Sequence, residues 1–466
     1  MSSRTQNPIP DGHVVSWYGD DLTGAAAVME VLDTGGLPSV LFMDIPTPEE
    51  LAPYASWPGI GIAGTARHRD SQWMEEHLPR VFQFLSSLSA PIAHYKVCST
   101  FDSSPEIGSI GRAIELAQPV LGGEWTPLLV AAPPIGRYQI FGNLFAVADG
   151  VVHRLDRHPT MSRHPVTPMN EADVRLHLSE QTAMPIGLVD AVSLRNGFAS
   201  DALARQVTDG ARVISLDVTD DAMLLEVGAL MWENRGDRLL AVGSQGVEYA
   251  LVAYLREMGL VEPSVPTTEI EPADRFAAVS ASVSAVTAAQ LKWAGANGFE
   301  MMRIDVTATV DASTWSLEVD RISEDAIKYL NHGESPIIYT ALGPDDDSVS
   351  ILKAAAERSD TPIAEARERI GDGLGQILDR LIENAGLTRC AVAGGDTSGH
   401  VTRALGIRSL TFMASAGHAT SIMRANTGIR GRTDLEYALK GGQMGSIDYF
   451  GTVKNLASKT RRERDT

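Results

Sequence analysis

Short apolar runs alternate with helix-period patterns along most of the chain. Runs at 13–18, 38–43, 59–63, 128–132, 186–189, 212–216 and 238–243 are bounded by turn residues, which predicts buried strands. Amphipathic stretches near 22–34, 71–88, 107–118, 171–182, 199–209, 221–234 and 246–258 predict helices between them. Such alternation predicts an α/β architecture with a largely parallel sheet. After Gly259 the pattern breaks: Glu262-Pro263-Ser264-Val265-Pro266-Thr267-Thr268 is proline-rich and polar, and reads as a linker. It divides the chain into domains 1–262 and 263–466.

A second α/β region follows. It opens with Phe276–Ser284 and a helix to about Gly295, with candidate strands at 300–306, 336–341, 389–393 and 409–413. Helices are predicted near 318–331, 348–357, 363–384 and 400–405. No fixed-period repeat is visible. The segment 154–170 carries three prolines and little periodicity, which predicts a long ordered loop.

Composition narrows the classes. With 466 residues, two domains are the prior expectation. A net charge of -20 argues against broad nucleic-acid binding or attraction to anionic membranes, while a local pocket can still be basic. Cys98 and Cys390 form no CxxC pair, so neither a disulfide framework nor a cysteine zinc site is expected. No apolar run approaches the ~20 residues that span a bilayer. Met1–Asp11 lacks the apolar core of a signal peptide, and a cytoplasmic location is expected. The basic tail Lys459–Arg464 reads as a frayed end.

Two strand-to-helix turns carry most of the candidate chemistry. In the first, Val14–Trp17 leads into Tyr18-Gly19-Asp20-Asp21-Leu22-Thr23-Gly24 and a helical alanine run. An Asp at this point caps the helix by accepting a first-turn amide. That accounts for one aspartate; the other is placed where open α/β sheets bind ligands, as hydroxyl acceptor or general base. In the second, Cys390–Ala393 leads into Gly394-Gly395-Asp396-Thr397-Ser398-Gly399. Glycines admit close backbone approach and a helix N-terminus offers free amides to an anion, which suits phosphate; a plain tight turn is the competing reading. Ser280-Ala281-Ser282-Val283-Ser284 occupies an equivalent junction, and Lys440-Gly441-Gly442-Gln443-Met444-Gly445 could close over the same ligand.

Lys96 and Arg137 follow apolar segments and suit a carboxylate, although each alone reads as a solvated surface cation. Arg157–Pro165 is dense in His and Arg without a recognised metal-ligand spacing, so it reads as a polar loop in which His164 is a substrate-contact candidate. No Gly-Lys dipeptide exists, which excludes a Walker-type loop. Gly59-Ile60-Gly61-Ile62-Ala63-Gly64 spells GxGxxG but reads as a strand rather than a dinucleotide turn. A nicotinamide-dependent dehydrogenase would depend on that motif. A non-catalytic sugar-acid binding protein is the other alternative.

These motifs, in order, resemble those of the four-carbon acid sugar kinases, a family once catalogued as a domain of unknown function. Its ADDLTGA stretch is matched by Gly19–Ala25, its serine-rich turn by Val279–Ser284, its GG-acid-TSG turn by Gly394–Gly399, and its K-S-G-N-F-G run by Lys440–Gly445. The resemblance implies two α/β domains with the active site in the cleft between them, and transfer of phosphate from ATP with Mg²⁺ to a hydroxyl of threonate, erythronate, a 3-oxo-tetronate or a branched acid. It implies Asp20 and Asp21 as catalytic candidates and Thr23, Arg67, Lys96, Ser99, Arg137 and His164 as substrate contacts. Ser280, Ser282, Gly394, Gly395, Asp396, Thr397, Ser398 and Gly442 become nucleotide contacts. Metal ligands stay unassigned, the expected partners are the sugar acid and ATP, and a homo-oligomer is open.

The chain departs from the family pattern twice. Where relatives read K-x-D-S-T-L-R-G it has Lys96-Val97-Cys98-Ser99-Thr100-Phe101-Asp102-Ser103, replacing an acid by Cys98 and losing an arginine. Where many read D-P-M-x-P it has Arg163–Met169. Both changes lie in the expected substrate domain and point away from plain threonate toward a 3-oxo or branched acid such as 3-oxo-isoapionate.

Overall fold

The computed structural model describes residues 9–148, 150–164, 166–263, 270–417, 420–429 and 435–457. Most of the expected linker (264–268) and the basic tail 459–464 lie outside the described residues. Two compact units are present, Met1–Ser264 and Val265–Thr466.

In the first unit the strands are β1 (Val15–Gly19), β2 (Ser39–Phe42), β3 (Gly59–Ala63), β4 (Ile92–Lys96), β5 (Thr126–Leu129), β6 (Arg137–Ile140), β7 (Asn143–Ala148), β8 (Val151–Arg154), β9 (Ile186–Val189), β10 (Val213–Leu216) and β11 (Leu239–Gly243). Eight of them form a parallel sheet in the order β2-β3-β1-β4-β11-β5-β10-β9. Its central strands are buried at every residue, as their continuous apolar runs require. Helices Ser71–Ser87 and Ile110–Leu121 bury Met74, Leu78, Phe82, Ile114 and Ala117 in one core with Ile60, Ile62 and Tyr95.

A small antiparallel sheet, β6-β7-β8, was not anticipated. Its strands are short and largely half-buried or exposed, and the apolar run of β7, Leu144–Ala148, was passed over in the sequence. After Arg154, the end of β8, the described residues of 155–170 form two single 3₁₀ turns and otherwise irregular chain, in keeping with the expected loop.

The second unit contains β12 (Phe276–Ser280), β13 (Phe299–Arg303), β14 (Ser335–Tyr339), β15 (Arg389–Ala393), β16 (Ser409–Ser415), β17 (Ser421–Asn426) and β18 (Leu435–Lys440). Their order is β13-β14-β12-β15-β18-β17-β16, parallel up to β18 and antiparallel beyond it. Phe276, Ala278, Leu291, Ile337, Ala391 and Phe450 belong to its core.

The two units share a topology that no sequence period announced. In each, the first strand is flanked on one side by the third and on the other by the fourth: β3-β1-β4 and β14-β12-β15. The chain leaves the first strand toward one edge and leaves the fourth toward the other. The crevice at the carboxyl ends of that pair is the topological switch point, where open α/β sheets receive ligands.

Candidate functional site

At the first switch point β1 delivers Asp20 and Asp21, and β4 delivers Lys96 and the turn that follows it. The strands pair Gly19 with Lys96, and the Asp20 amide donates to the Lys96 carbonyl at 2.9 Å. The two aspartates then diverge. Asp21 caps helix Leu22–Gly35, accepting from the Gly24 amide, from Thr23 Oγ1 at 2.9 Å and from Arg67 Nη1 at 2.9 Å. The cation of Arg67, with that of Lys96 and these donors, outweighs burial and holds Asp21 down at about 2. Asp20 is buried with its Oδ1 lacking a hydrogen-bond partner. Burial first, and the Asp21 charge second, push it up to about 7 despite Lys96 and Arg67.

Arg67 is a bridge rather than a free cation. Its other amino group donates to both oxygens of Asp102, at 3.1 and 2.9 Å, and holds Asp102 below the usual carboxylate range. Sequence reading missed Asp102, because only the fold brings residue 67 to residues 21 and 102. Thr100 Oγ1 also donates to Asp102, and the Cys98 thiol lies 3.0 Å from Thr100 Oγ1. Phe101, buried at a φ of 56°, holds the turn in a left-handed conformation that few side chains adopt. Cys98 is therefore part of the cluster. Burial pushes its thiol up, opposed by Arg67, so the group is a neutral donor-acceptor at neutral pH.

Lys96 corrects an expectation. It is 2 % exposed, not a solvated surface cation, and donates to the Val97 carbonyl at 2.6 Å. A Cβ placed on Gly24 would come within 2.9 Å of its Nζ, so glycine there clears the ammonium. Arg137 is half-buried and folds onto the Ile135 and Gly136 carbonyls at 3.2 Å, with Nε buried and unpartnered. Burial pushes its guanidinium down from the usual arginine range. Ser99 is half-buried in the turn after β4. His164 Nδ1 accepts from the Thr167 amide at 3.1 Å, and Thr167 Oγ1 reaches Asp102 at 3.5 Å. The fold thus assembles Asp20, Asp21, Thr23, Arg67, Lys96, Cys98, Thr100 and Asp102, with Ser99, Arg137 and His164 at the margin.

At the second switch point three turns converge. Gly394, at a φ of 129°, precedes helix Gly395–Ala404 and contributes no capping side chain. The first-turn amides are thus left for another acceptor. A Cβ on Gly394 would sit 3.7 Å from Ser282 Cβ, and one on Gly442 would meet Ser282 Oγ at 2.8 Å. One on Gly395 would meet nothing within 4 Å, so open space lies before this turn. Ser284 Oγ and Thr287 Oγ1 both donate to the Gly442 carbonyl, the latter at 2.9 Å, tying the glycine loop to helix Ala285–Ala296. Ser280 and Ser398 are buried; Ser398 Oγ donates to the Gly394 carbonyl at 2.6 Å and so braces the turn. Thr397 Oγ1 lies 3.1 Å from the position of a Gly394 Cβ. The Asp396 side chain lies outside what the structure describes.

Lys440 was quoted only as part of a glycine cluster, yet it is fully buried. Its Nζ donates to Thr287 Oγ1 at 2.8 Å, and burial pushes it down to about 7. Gly59–Ala63 is β3 itself, so the GxGxxG spelling carries no dinucleotide turn. Among the described residues, no group of three or more His, Cys, Asp or Glu is arranged to hold a metal ion, and no helix is long and apolar enough to cross a membrane.

Residues 15–251 match the model of a sugar-binding N-terminal domain and residues 277–450 that of a nucleotide-binding C-terminal domain. A Paraburkholderia graminis protein named 3-oxo-isoapionate kinase is 44 % identical over 96 % of this chain and 95 % of its own length. The chain belongs to the four-carbon acid sugar kinase family. It is a sugar-acid kinase. A second member of the family, the 3-oxo-tetronate kinase of Pseudomonas fluorescens, is 28 % identical over 95 % of this chain and 96 % of its own. A Haemophilus influenzae structure of the family superposes with a TM-score of 0.69 at 23 % identity, over 94 % of this chain and 99 % of that one, a likeness of fold.

Proposed function

We propose that this kinase transfers the γ-phosphoryl group of Mg-ATP to a hydroxyl of a small 3-oxo or branched sugar acid, with 3-oxo-isoapionate the first substrate to test. The observation that carries the reading is Asp20: a buried carboxylate at a switch point, one oxygen unpartnered, with its pKa raised to about 7. A general base works best with a pKa near the operating pH. Asp20 takes the proton of the acceptor hydroxyl as that oxygen bonds to the γ-phosphorus and the bond to ADP breaks. Lys96 and Arg137 hold the substrate carboxylate, and Thr23, Ser99 and His164 orient hydroxyls. Asp21 and Arg67 keep the turn in place.

The first unit would hold the sugar acid and the second ATP, in keeping with the descriptions of the matched domains. In the second, the Gly394–Thr397 amides, Ser282 and Gly442 cradle phosphate. Mg²⁺ would arrive on the nucleotide, since such ions are commonly held by phosphates, water and one or two carboxylates. The 3-oxo-isoapionate kinase relative and the neutral Cys98 thiol support the substrate class. An ADP-release screen over four- and five-carbon sugar acids tests the reading. Turnover is expected with 3-oxo or branched acids above threonate and erythronate. ADP release no faster than the acid-free control across the panel would overturn it.

A further inference from the structure

Behind the turn that carries Cys98, Thr100 and Asp102 lies a second polar cluster. It joins Ser103, at the end of that turn, to His177 in helix Val174–Ser179 and to Gln181 just beyond it. Ser103 and His177 are buried and Gln181 is half-buried. Ser103 Oγ lies 3.0 Å from His177 Nε2, and Gln181 Nε2 lies 2.8 Å from Ser103 Oγ and 3.1 Å from His177 Nε2. Ser103 Oγ also reaches the Phe101 carbonyl at 3.1 Å, and the Phe101 and His177 rings meet in a T with centroids 5.7 Å apart.

The donors in this cluster are fixed by chemistry. Gln181 Oε1 accepts from the Ile110 amide at 2.8 Å and from the Gly111 amide at 3.3 Å, at the start of helix Ile110–Leu121. Only the oxygen of a side-chain amide accepts from two backbone amides, so the Gln181 amino group faces Ser103 and His177. An amino group donates and does not accept, so His177 Nε2 is the acceptor and the ring is the neutral Nδ1–H form. Burial first holds His177 below the usual histidine range, against the charges of Glu180, Asp102 and Glu171 and the Ser103 carbonyl, which favour the protonated ring. A proton on Nε2 would set its N–H against the N–H of Gln181 and break the triangle. The turn in front needs this support. Phe101 keeps its left-handed conformation only where its surroundings over-determine it, and its neighbour Asp102 anchors Arg67, which in turn holds Asp21.

We propose that His177 is a positioning residue of the sugar-acid site: with Gln181 it fixes Ser103, and through Ser103 the Phe101–Asp102 turn that holds Arg67 against Asp21. The inference rests on the reading of the first unit as the holder of the sugar acid. It makes that site acid-sensitive from behind. Below the range in which Asp20 takes up its proton, a second proton on His177 loosens the turn.

Steady-state kinetics with 3-oxo-isoapionate and calorimetry with Mg-ATP, both on the full-length protein, test it. His177→Leu is expected to lower sugar-acid kcat/KM by about tenfold or more, because it strips buried polar groups of a partner, and to leave Mg-ATP affinity within about twofold. Ser103→Ala is expected to do the same, and the double variant to lose no more than either single, because the two residues act as a unit. His177→Gln keeps an acceptor that does not titrate and is expected to stay within about threefold of wild type at about pH 8. The wild-type to His177→Gln ratio of kcat/KM should be flat above about pH 7 and fall about fivefold or more by about pH 5, whatever Asp20 does in both proteins. Unchanged kcat/KM in a folded His177→Leu overturns the role, as do an equal loss of Mg-ATP affinity, additive losses in the double variant, or a ratio that stays flat into acid. If His177→Leu does not fold, the His177→Gln ratio decides alone. Wild-type protein that does not turn over 3-oxo-isoapionate refutes the substrate reading itself, a result distinct from loss of this role.

Discussion

Asp20 and Asp21 are adjacent and chemically identical, yet burial sends one up to about 7 and Arg67 holds the other at about 2. Their variants should therefore differ. Asp20→Asn is expected to lower kcat by ~10²-fold or more and to abolish the limb of the pH–rate profile near pH 7, because the base is gone. It also removes a stability term. A carboxyl raised in the native state contributes stability that is full below its unfolded pKa, about 4, and lost as pH rises through about 7. The melting temperature of Asp20→Asn minus that of wild type should thus grow between pH 4 and pH 8. Asp21 has the opposite sign: its contribution is present above its unfolded value and lost as pH falls through about 2. Asp21→Ala should cost ~1 kcal/mol for the helix cap alone, and more through Arg67, in urea unfolding at pH 7. The pair was legible in the sequence; its division of labour was not, because Arg67 and Asp102 join it only through the fold. Cys98 is similar. Its place beside Thr100 predicts that Cys98→Asp shifts kcat/KM toward the straight-chain acids, measured as a ratio against the 3-oxo acids.

At the scale of elements, local chemistry explains both the strands that were visible and the helix start that was misplaced. Long buried runs such as β1, β3 and β11 announce themselves because both faces of a parallel sheet are covered. Helix Gly395–Ala404 was expected only from residue 400, because Gly-Asp-Thr-Ser-Gly is poor helix-forming sequence. It winds from Gly395 where β15 ends, leaving an uncapped first turn. That turn carries a prediction: Gly395→Val should weaken Mg-ATP by about tenfold or more through blocked backbone approach, with a modest melting-temperature change. A Cβ there meets no protein atom within 4 Å, so the protein has room for the side chain and the ligand does not. Gly442→Ala should instead disturb the loop itself, since its Cβ would meet Ser282 Oγ at 2.8 Å. Calorimetry alongside a thermal melt separates the two.

For the whole molecule, phosphoryl transfer needs both ligands present, while each ligand is assigned to one unit. Asp20→Asn should therefore leave Mg-ATP affinity within about twofold, and Gly395→Val should leave sugar-acid affinity equally unaffected, because each residue belongs to the turn assigned to the other ligand. A large loss of ATP affinity in Asp20→Asn would break that assignment. The sequence by itself determined the α/β class, most element positions and the turns that carry the chemistry, because burial periodicity and turn residues are local properties of a chain. Only the tertiary structure decided strand order and the shared switch-point topology. It alone set the Asp21–Arg67–Asp102 bridge and the opposite titration of two neighbouring aspartates. Those depend on which distant residues exclude water from, or bring charge to, a given carboxylate, and no local pattern encodes that.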